Sequence, residues 1–203
     1  MKNNKLPVGF LHLLFILLLL NCDTGIEPSP DPGILRITLQ SDPTDTFIVI
    51  VKDTFVVAEK DSFGVTVFQG RAYSGDTYAI LYPTLTSYKQ QDRIYNIIRR
   101  EKARYRQFTI FETYVPPGRY HRIQFGLKAH TLKLKNFDEI KVEAPANANP
   151  IVTLSVDFRV EQDQITEINL YIKPFQSVQR YRDIYQFIPR LEIVRVQYLG
   201  RKN

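Results

Sequence analysis

Cysteine is almost absent, with a single residue, Cys22, among 203. No internal disulfide can form, and the body of the chain has no thiol to join a histidine at a metal. Histidine is nearly as scarce: beyond residue 22 only His121 and His130 occur, nine positions apart. There are nine glycines and no glycine-rich loop that would cradle a phosphate. A Gly-x-Ser-x-Gly nucleophile elbow is also missing. The usual signatures of phosphoryl transfer, serine hydrolysis and cysteine-based metal binding are therefore absent, and no residue stands out as catalytic. With no crosslinks to rely on, the fold must be held by burial, and a 44% hydrophobic, 12% aromatic composition is sufficient for that.

Long apolar runs are confined to one place. Val8–Leu20, "VGFLHLLFILLLL", follows Lys2 and Lys5 and leads into Asn21 and Cys22. As a helix it would cover about 20 Å, short of a hydrocarbon core of about 30 Å. Its length and flanks match a secretory signal over residues 1–21 rather than a permanent span. Leu19-Leu20-Asn21-Cys22 resembles a bacterial lipobox, with Leu three residues before the Cys. Acylation at Cys22 accounts for the lone thiol of an exported chain, and two or more acyl chains anchor stably where one does not. Residues 22–32 carry Pro28, Pro30 and Pro32 and read as an extended tether. The expectation is a bacterial cell-envelope protein, held at a membrane by its N-terminal acyl chains, with one domain over 33–203.

Within that domain the apolar residues recur with period two. Val152, Leu154, Val156, Phe158 and Val160 alternate with Thr153, Ser155, Asp157 and Arg159, so the first set should face inward. The same alternation places Leu35, Ile37 and Leu39 inward, and likewise Ile168, Leu170 and Ile172. It also puts His121 in phase with Ile123 and Phe125, at the rim of the core. Further strands are expected at 47–51, 54–59, 64–69, 77–82, 93–98 and 107–114. Between them lie turn sequences such as "SDPTD", "EKDSFG", "PPG" and "EQDQ". Segment 88–104 admits a partial helical stripe but reads better as strand and loop. Many short strands separated by turns imply a sandwich or barrel.

Several stretches resemble the bacterial lipoprotein family catalogued as domain of unknown function 4382. Gly33-Ile34-Leu35-Arg36-Ile37-Thr38-Leu39 leads into Ser41-Asp42-Pro43, like that family's opening strand and turn. Val115-Pro116-Pro117-Gly118-Arg119-Tyr120-His121-Arg122-Ile123-Gln124-Phe125 is similar to its central motif, and Tyr185-Gln186-Phe187-Ile188-Pro189-Arg190-Leu191 to its closing one. The resemblance implies an antiparallel Greek-key β-sandwich, immunoglobulin- or transthyretin-like, and implies no activity. Independently of the family, Pro117-Gly118 is a turn dipeptide, and the Tyr120 phenol is placed to reach back to a backbone group.

Charge is distributed unevenly. The chain is formally +6, yet residues 89–122 hold nine Lys and Arg against three carboxylates, a net of +6 in themselves. Tyr88, Tyr95, Tyr105 and Phe108 are interleaved with these cations. Arg99, Arg100, Lys102 and Arg104 are the expected contact residues for an acidic partner: anionic glycan, lipid headgroups or an acidic envelope protein. Export argues against nucleic acid. No metal or cofactor is expected, although the oxygen-rich "SDPTD" and "EQDQ" turns are of the kind that suits calcium. Asp157 should be solvated on the outer face of its strand, with Glu161 and Asp163 in a turn. The expected function is a non-catalytic, lipid-anchored binding or structural module. The alternative is an ion-dependent carbohydrate binder or enzyme with its site within 45–110.

Overall fold

The computed structural model describes residues 29–135, 137 and 139–200. The signal segment, Cys22 and most of the tether lie outside the described residues. Within them the chain is all-β, without helices. Its strands are β1 (Gly33–Ser41), β2 (Phe47–Ile50), β3 (Asp53–Val56), β4 (Ser62–Ser74), β5 (Thr77–Leu81), β6 (Arg93–Asn96), β7 (Arg100–Glu101) and β8 (Arg104–Tyr105). There follow β9 (Phe108–Val115), β10 (Gly118–Lys133), β11 (Ile140–Glu143), β12 (Ile151–Val160), β13 (Gln164–Ile172), β14 (Val178–Tyr181), β15 (Ile184–Phe187) and β16 (Leu191–Gly200).

Two large sheets enclose the core. One has the order β16-β13-β1-β9, and the other β14-β15-β11-β10-β4-β5, with β12 added on β10 and β6 on β4. Strands β1 and β13 run parallel, as do β11 and β15, so the sheets are mixed rather than wholly antiparallel. The alternation works as expected on the inner faces. Leu35, Ile37 and Leu39 are fully buried, as are Ile168 and Ile172, and they pack in one cluster with Ile123, Phe125, Phe63 and Val65 from the other sheet. The rings of Phe111 and Phe125 meet across the sandwich at 6.0 Å. On β12 only Phe158 and Val160 are fully buried, with Val152, Leu154 and Val156 half-buried and Asp157 exposed. Segment 88–104 forms strand and loop.

One expectation of phase fails. His121 is exposed, whereas Tyr120 is buried. The register of β10 against β12 slips between Tyr120 and Arg122, so the inward set changes from even to odd positions along β10. His121 sits at that slip, on the outer side. Tyr120 before it stacks on Phe158 with centroids 5.3 Å apart, and its hydroxyl donates to the Pro116 carbonyl at 2.8 Å. This is the reach-back that the turn sequence allows. Gly118 in that turn has φ 156° with open space around it, so backbone conformation, not crowding, favours glycine there.

Register also defines the two ends of the molecule. Gly33 lies beside Val115, and Gln164 beside Gly200, at the pole where the chain enters β1. Ser41 lies beside Ile172, which in turn pairs with Leu191, at the far pole. Two small hairpins, β2–β3 and β7–β8, belong to neither large sheet, and both follow from strand ends at the far pole.

Candidate functional site

The β7–β8 hairpin carries the predicted contact residues. Its turn residues Lys102 and Ala103 have φ of 51° and 64°. Positive φ at both central positions is the geometry that suits a two-residue hairpin, normally supplied by Asn-Gly. Here two residues with a Cβ adopt it, against a preference of about 1–2 kcal/mol each. Tertiary contacts hold the hairpin in place. The buried Tyr105 donates its hydroxyl to the Asp45 carbonyl at 2.8 Å, and its own carbonyl accepts from Gln40 Nε2 at 2.6 Å. Burial pushes the Tyr105 phenol up to about 12, so it stays a protonated donor at physiological pH. The Arg100 guanidinium lies 5.6 Å from the Tyr105 ring centroid and donates to the Val57 and Ala103 carbonyls.

Arg100 is therefore a clasp and not a free contact residue. A side chain committed to two backbone carbonyls and an aromatic face has little left for a partner, which sequence spacing alone does not show. Arg99 is half-exposed and pairs with Glu101 at 3.2 Å, and Arg106 reaches the same carboxylate at 3.2 Å. Lys102 projects from the exposed turn and Arg104 from the start of β8, with no carboxylate partner among the described residues. The basic stretch is also not one surface. Arg122 lies over the Tyr73 ring at 4.1 Å on the outer face of β10, and Arg119 is at the start of β10, opposite Arg159, at the entry pole. Of the basic stretch, the fold gathers Arg99, Arg100, Lys102, Arg104 and Arg106 around one Glu101 at the far pole, a net of +4 over residues 99–106, while Lys52 and Asp53 of the adjoining ribbon cancel.

Beside this hairpin stands the β2–β3 ribbon. The Tyr105–Asp45 and Arg100–Val57 bonds attach the basic hairpin to the residues flanking the ribbon on both sides. Ile48 and Ile50 point into the core, while Phe47, Val49, Val51 and Val56 are 53%, 55%, 67% and 68% exposed. Sequence reasoning placed strands here but did not single out the outward face. The available signal was that "FIVIV" is continuously apolar and does not alternate, which marks a strand apolar on both sides.

The carboxylates of the SDPTD turn are occupied by the protein itself. Asp42 Oδ1 accepts from the Thr44 N–H and hydroxyl, and its Oδ2 faces Lys173 Nζ at 3.7 Å. Asp45 Oδ2 accepts the N–H groups of Phe175 and Gln176 at 2.8 and 3.2 Å. Among the described residues, no three His, Cys, Asp or Glu side chains converge as a metal site would need. His130 bonds to the Thr66 hydroxyl through Nε2. The carboxylates Glu112 and Glu167 come together only by sharing Arg36, at 2.6 and 3.2 Å. A groove of about 440 Å³ beside β10 is lined by Leu127, Ala129, Pro145, Pro150, Phe187 and Pro189, and no acid, histidine or hydroxyl side chain lines it. The feature with unspent chemistry is the far pole, where exposed cations adjoin an exposed apolar ribbon. Compared with known proteins, the chain matches no family model, no curated protein and no solved structure.

Proposed function

We propose that this chain is a non-catalytic, lipid-anchored module of the bacterial cell envelope that binds an anionic surface through its far pole. The acyl anchor at Cys22, the tether 22–32 and kinship with domain of unknown function 4382 belong to the same proposal. They are supported by the lipobox-like Leu19–Cys22 and the motifs quoted above. The observation that carries the binding role is the β7–β8 hairpin. Tyr105 and Arg100 fix it, and it holds Lys102 and Arg104 outward with no carboxylate paired to them among the described residues. Fixed cations lose less side-chain and backbone entropy on binding than mobile ones do.

Two measurements test this. Mass analysis of the N-terminal peptide from membrane-purified chain should find acylated Cys22, and Cys22→Ala should leave the membrane fraction. An unmodified thiol on membrane-free protein overturns the anchor. Detergent-solubilised chain should also bind an anionic polysaccharide resin, and binding should weaken steeply with salt, because exposed charges are screened over about 8–10 Å at physiological ionic strength. The combined variant Arg99→Gln, Lys102→Gln, Arg104→Gln should release at lower salt than wild type. Arg100 is left intact, because its loss would disturb the fold and the surface together. Unchanged release of that triple variant would refute the basic pole as a binding surface.

A further inference from the structure

The far pole presents two unlike features side by side, and an anion alone accounts for only one of them. We infer that the occupant of this pole is an anionic lipid bilayer. The β2–β3 ribbon enters the headgroup layer while the β7–β8 hairpin contacts lipid phosphate. This rests on the anion-binding reading above and names its ligand.

The ribbon's outward face is continuous. Phe47 pairs with Val56 across the strands, Val49 follows two residues on, and Val51 occupies the turn. All four are more than half exposed, and no described element covers them. Val51 has φ 59°, in the left-handed region where a β-branched residue is an outlier and where Asn or Gly normally serves. At a solvated hairpin tip that choice is costly with no return. At a lipid interface the isopropyl group is what the tip has to offer, and neighbouring Lys52 can keep its ammonium at headgroup level. An anionic glycan or a purely acidic protein surface would use the cations but leave the four apolar side chains in water. A bilayer with anionic headgroups uses both, by apolar burial at the acyl boundary and by attraction to the charged surface.

Geometry limits the depth. Each strand of this two-stranded ribbon has an unpaired edge, and unpaired backbone groups are excluded from hydrocarbon. Entry is therefore shallow, within the headgroup region. Reach is sufficient: β1 has nine residues and spans about 30 Å, while an extended tether over 22–32 reaches about 34 Å. A domain hung from Gly33 can lay its far pole on the bilayer that holds its anchor.

The sequence contains no tryptophan, so Val51→Trp makes the full chain a single-tryptophan reporter. It would be reconstituted into vesicles of phosphatidylglycerol and phosphatidylcholine, or of phosphatidylcholine alone, each containing lipid brominated near the headgroup or near the chain terminus. In the anionic vesicles, emission should shift to the blue and be quenched mainly by the shallow bromines. The effect should be lost in phosphatidylcholine, in high salt, and when Arg99, Lys102 and Arg104 are replaced together by Gln. Tyr78→Trp, near the entry pole, should report water in every case. Val51→Trp emission that stays unquenched in anionic vesicles overturns the inference, and so does a blue shift without quenching, which would mean burial against protein. If quenching fails while salt-sensitive resin binding persists, only the lipid occupant falls. If both fail, the basic pole falls with it.

Discussion

Phe158→Ala should lower the unfolding free energy by about 3–5 kcal/mol, while Asp157→Ala, one residue away, should change it by less than about 0.5 kcal/mol. The Phe158 ring is 4% exposed and lies nearly parallel to Tyr120, at 12° and 5.3 Å. Truncation removes that stack and leaves a void beside Val160, which is also fully buried. Asp157 points to solvent from the same strand, and among the described residues no hydrogen bond or ion pair to its side chain would be lost. Urea unfolding monitored at constant m-value separates the two changes. Similar losses from both would mean that β12 presents the opposite face to the core. The effect extends to the turn at the entry pole, because Tyr120 is also the residue whose hydroxyl pins Pro116.

What was legible in the sequence follows from which strands have one dry face and one wet face. On β1 and β13 the apolar residues expected inward are buried, and on β12 they alternate with exposed residues, burial being complete at Phe158 and Val160. Strand β16 was not expected as a strand: its ten residues LEIVRVQYLG are half-buried or exposed throughout, as befits a sheet edge, so alternation is weak. The four-residue strands β11, β14 and β15 are too short to establish a period. Period alone puts His121 inward, because a register slip leaves no mark in composition. Buried polar residues on the outer face of the four-stranded sheet were also invisible. Thr38 and Asn169 are 4% and 5% exposed because Gln107 and Arg195 fold over them and hydrogen-bond to them. At the candidate site, charge density points to the residues that form β7 and β8. It could not separate Arg100, which closes the hairpin, from Lys102 and Arg104, which leave it. That division depends on Tyr105 and Val57, and the latter lies more than 40 residues earlier in the chain.

The second large effect is expected at Asp45, on which the far pole depends. Asp45→Ala should cost about 2–4 kcal/mol, because it strands the N–H groups of Phe175 and Gln176, and a buried donor without a partner costs about 1–3 kcal/mol. Asp45→Asn keeps an acceptor and should recover most of the loss. The pH dependence separates the two roles of the carboxylate. Burial, with a smaller contribution from neighbouring Asp42, raises the Asp45 pKa above the ordinary carboxylate range, although the two N–H bonds and Lys173 oppose this. A folded-state pKa above the unfolded one means that the native protein holds the proton more tightly. Wild-type stability relative to Asp45→Asn should therefore fall as pH rises from about 4 through the raised pKa. Asp42 acts in the opposite sense. Its pKa is lowered by the bonds from Thr44 and by Lys173 in spite of burial, so its contribution is present above about 4 and is lost on further acidification. Chemical denaturation of wild type and both Asp45 variants from pH 4 to pH 7 measures the difference directly. Because the Tyr105 hydroxyl bonds to the carbonyl of this same residue, Asp45→Ala should also weaken salt-sensitive binding under conditions where the variant is still folded. A fully stable Asp45→Ala protein with wild-type binding would show that the clamp on the 173–177 turn does not support the basic hairpin.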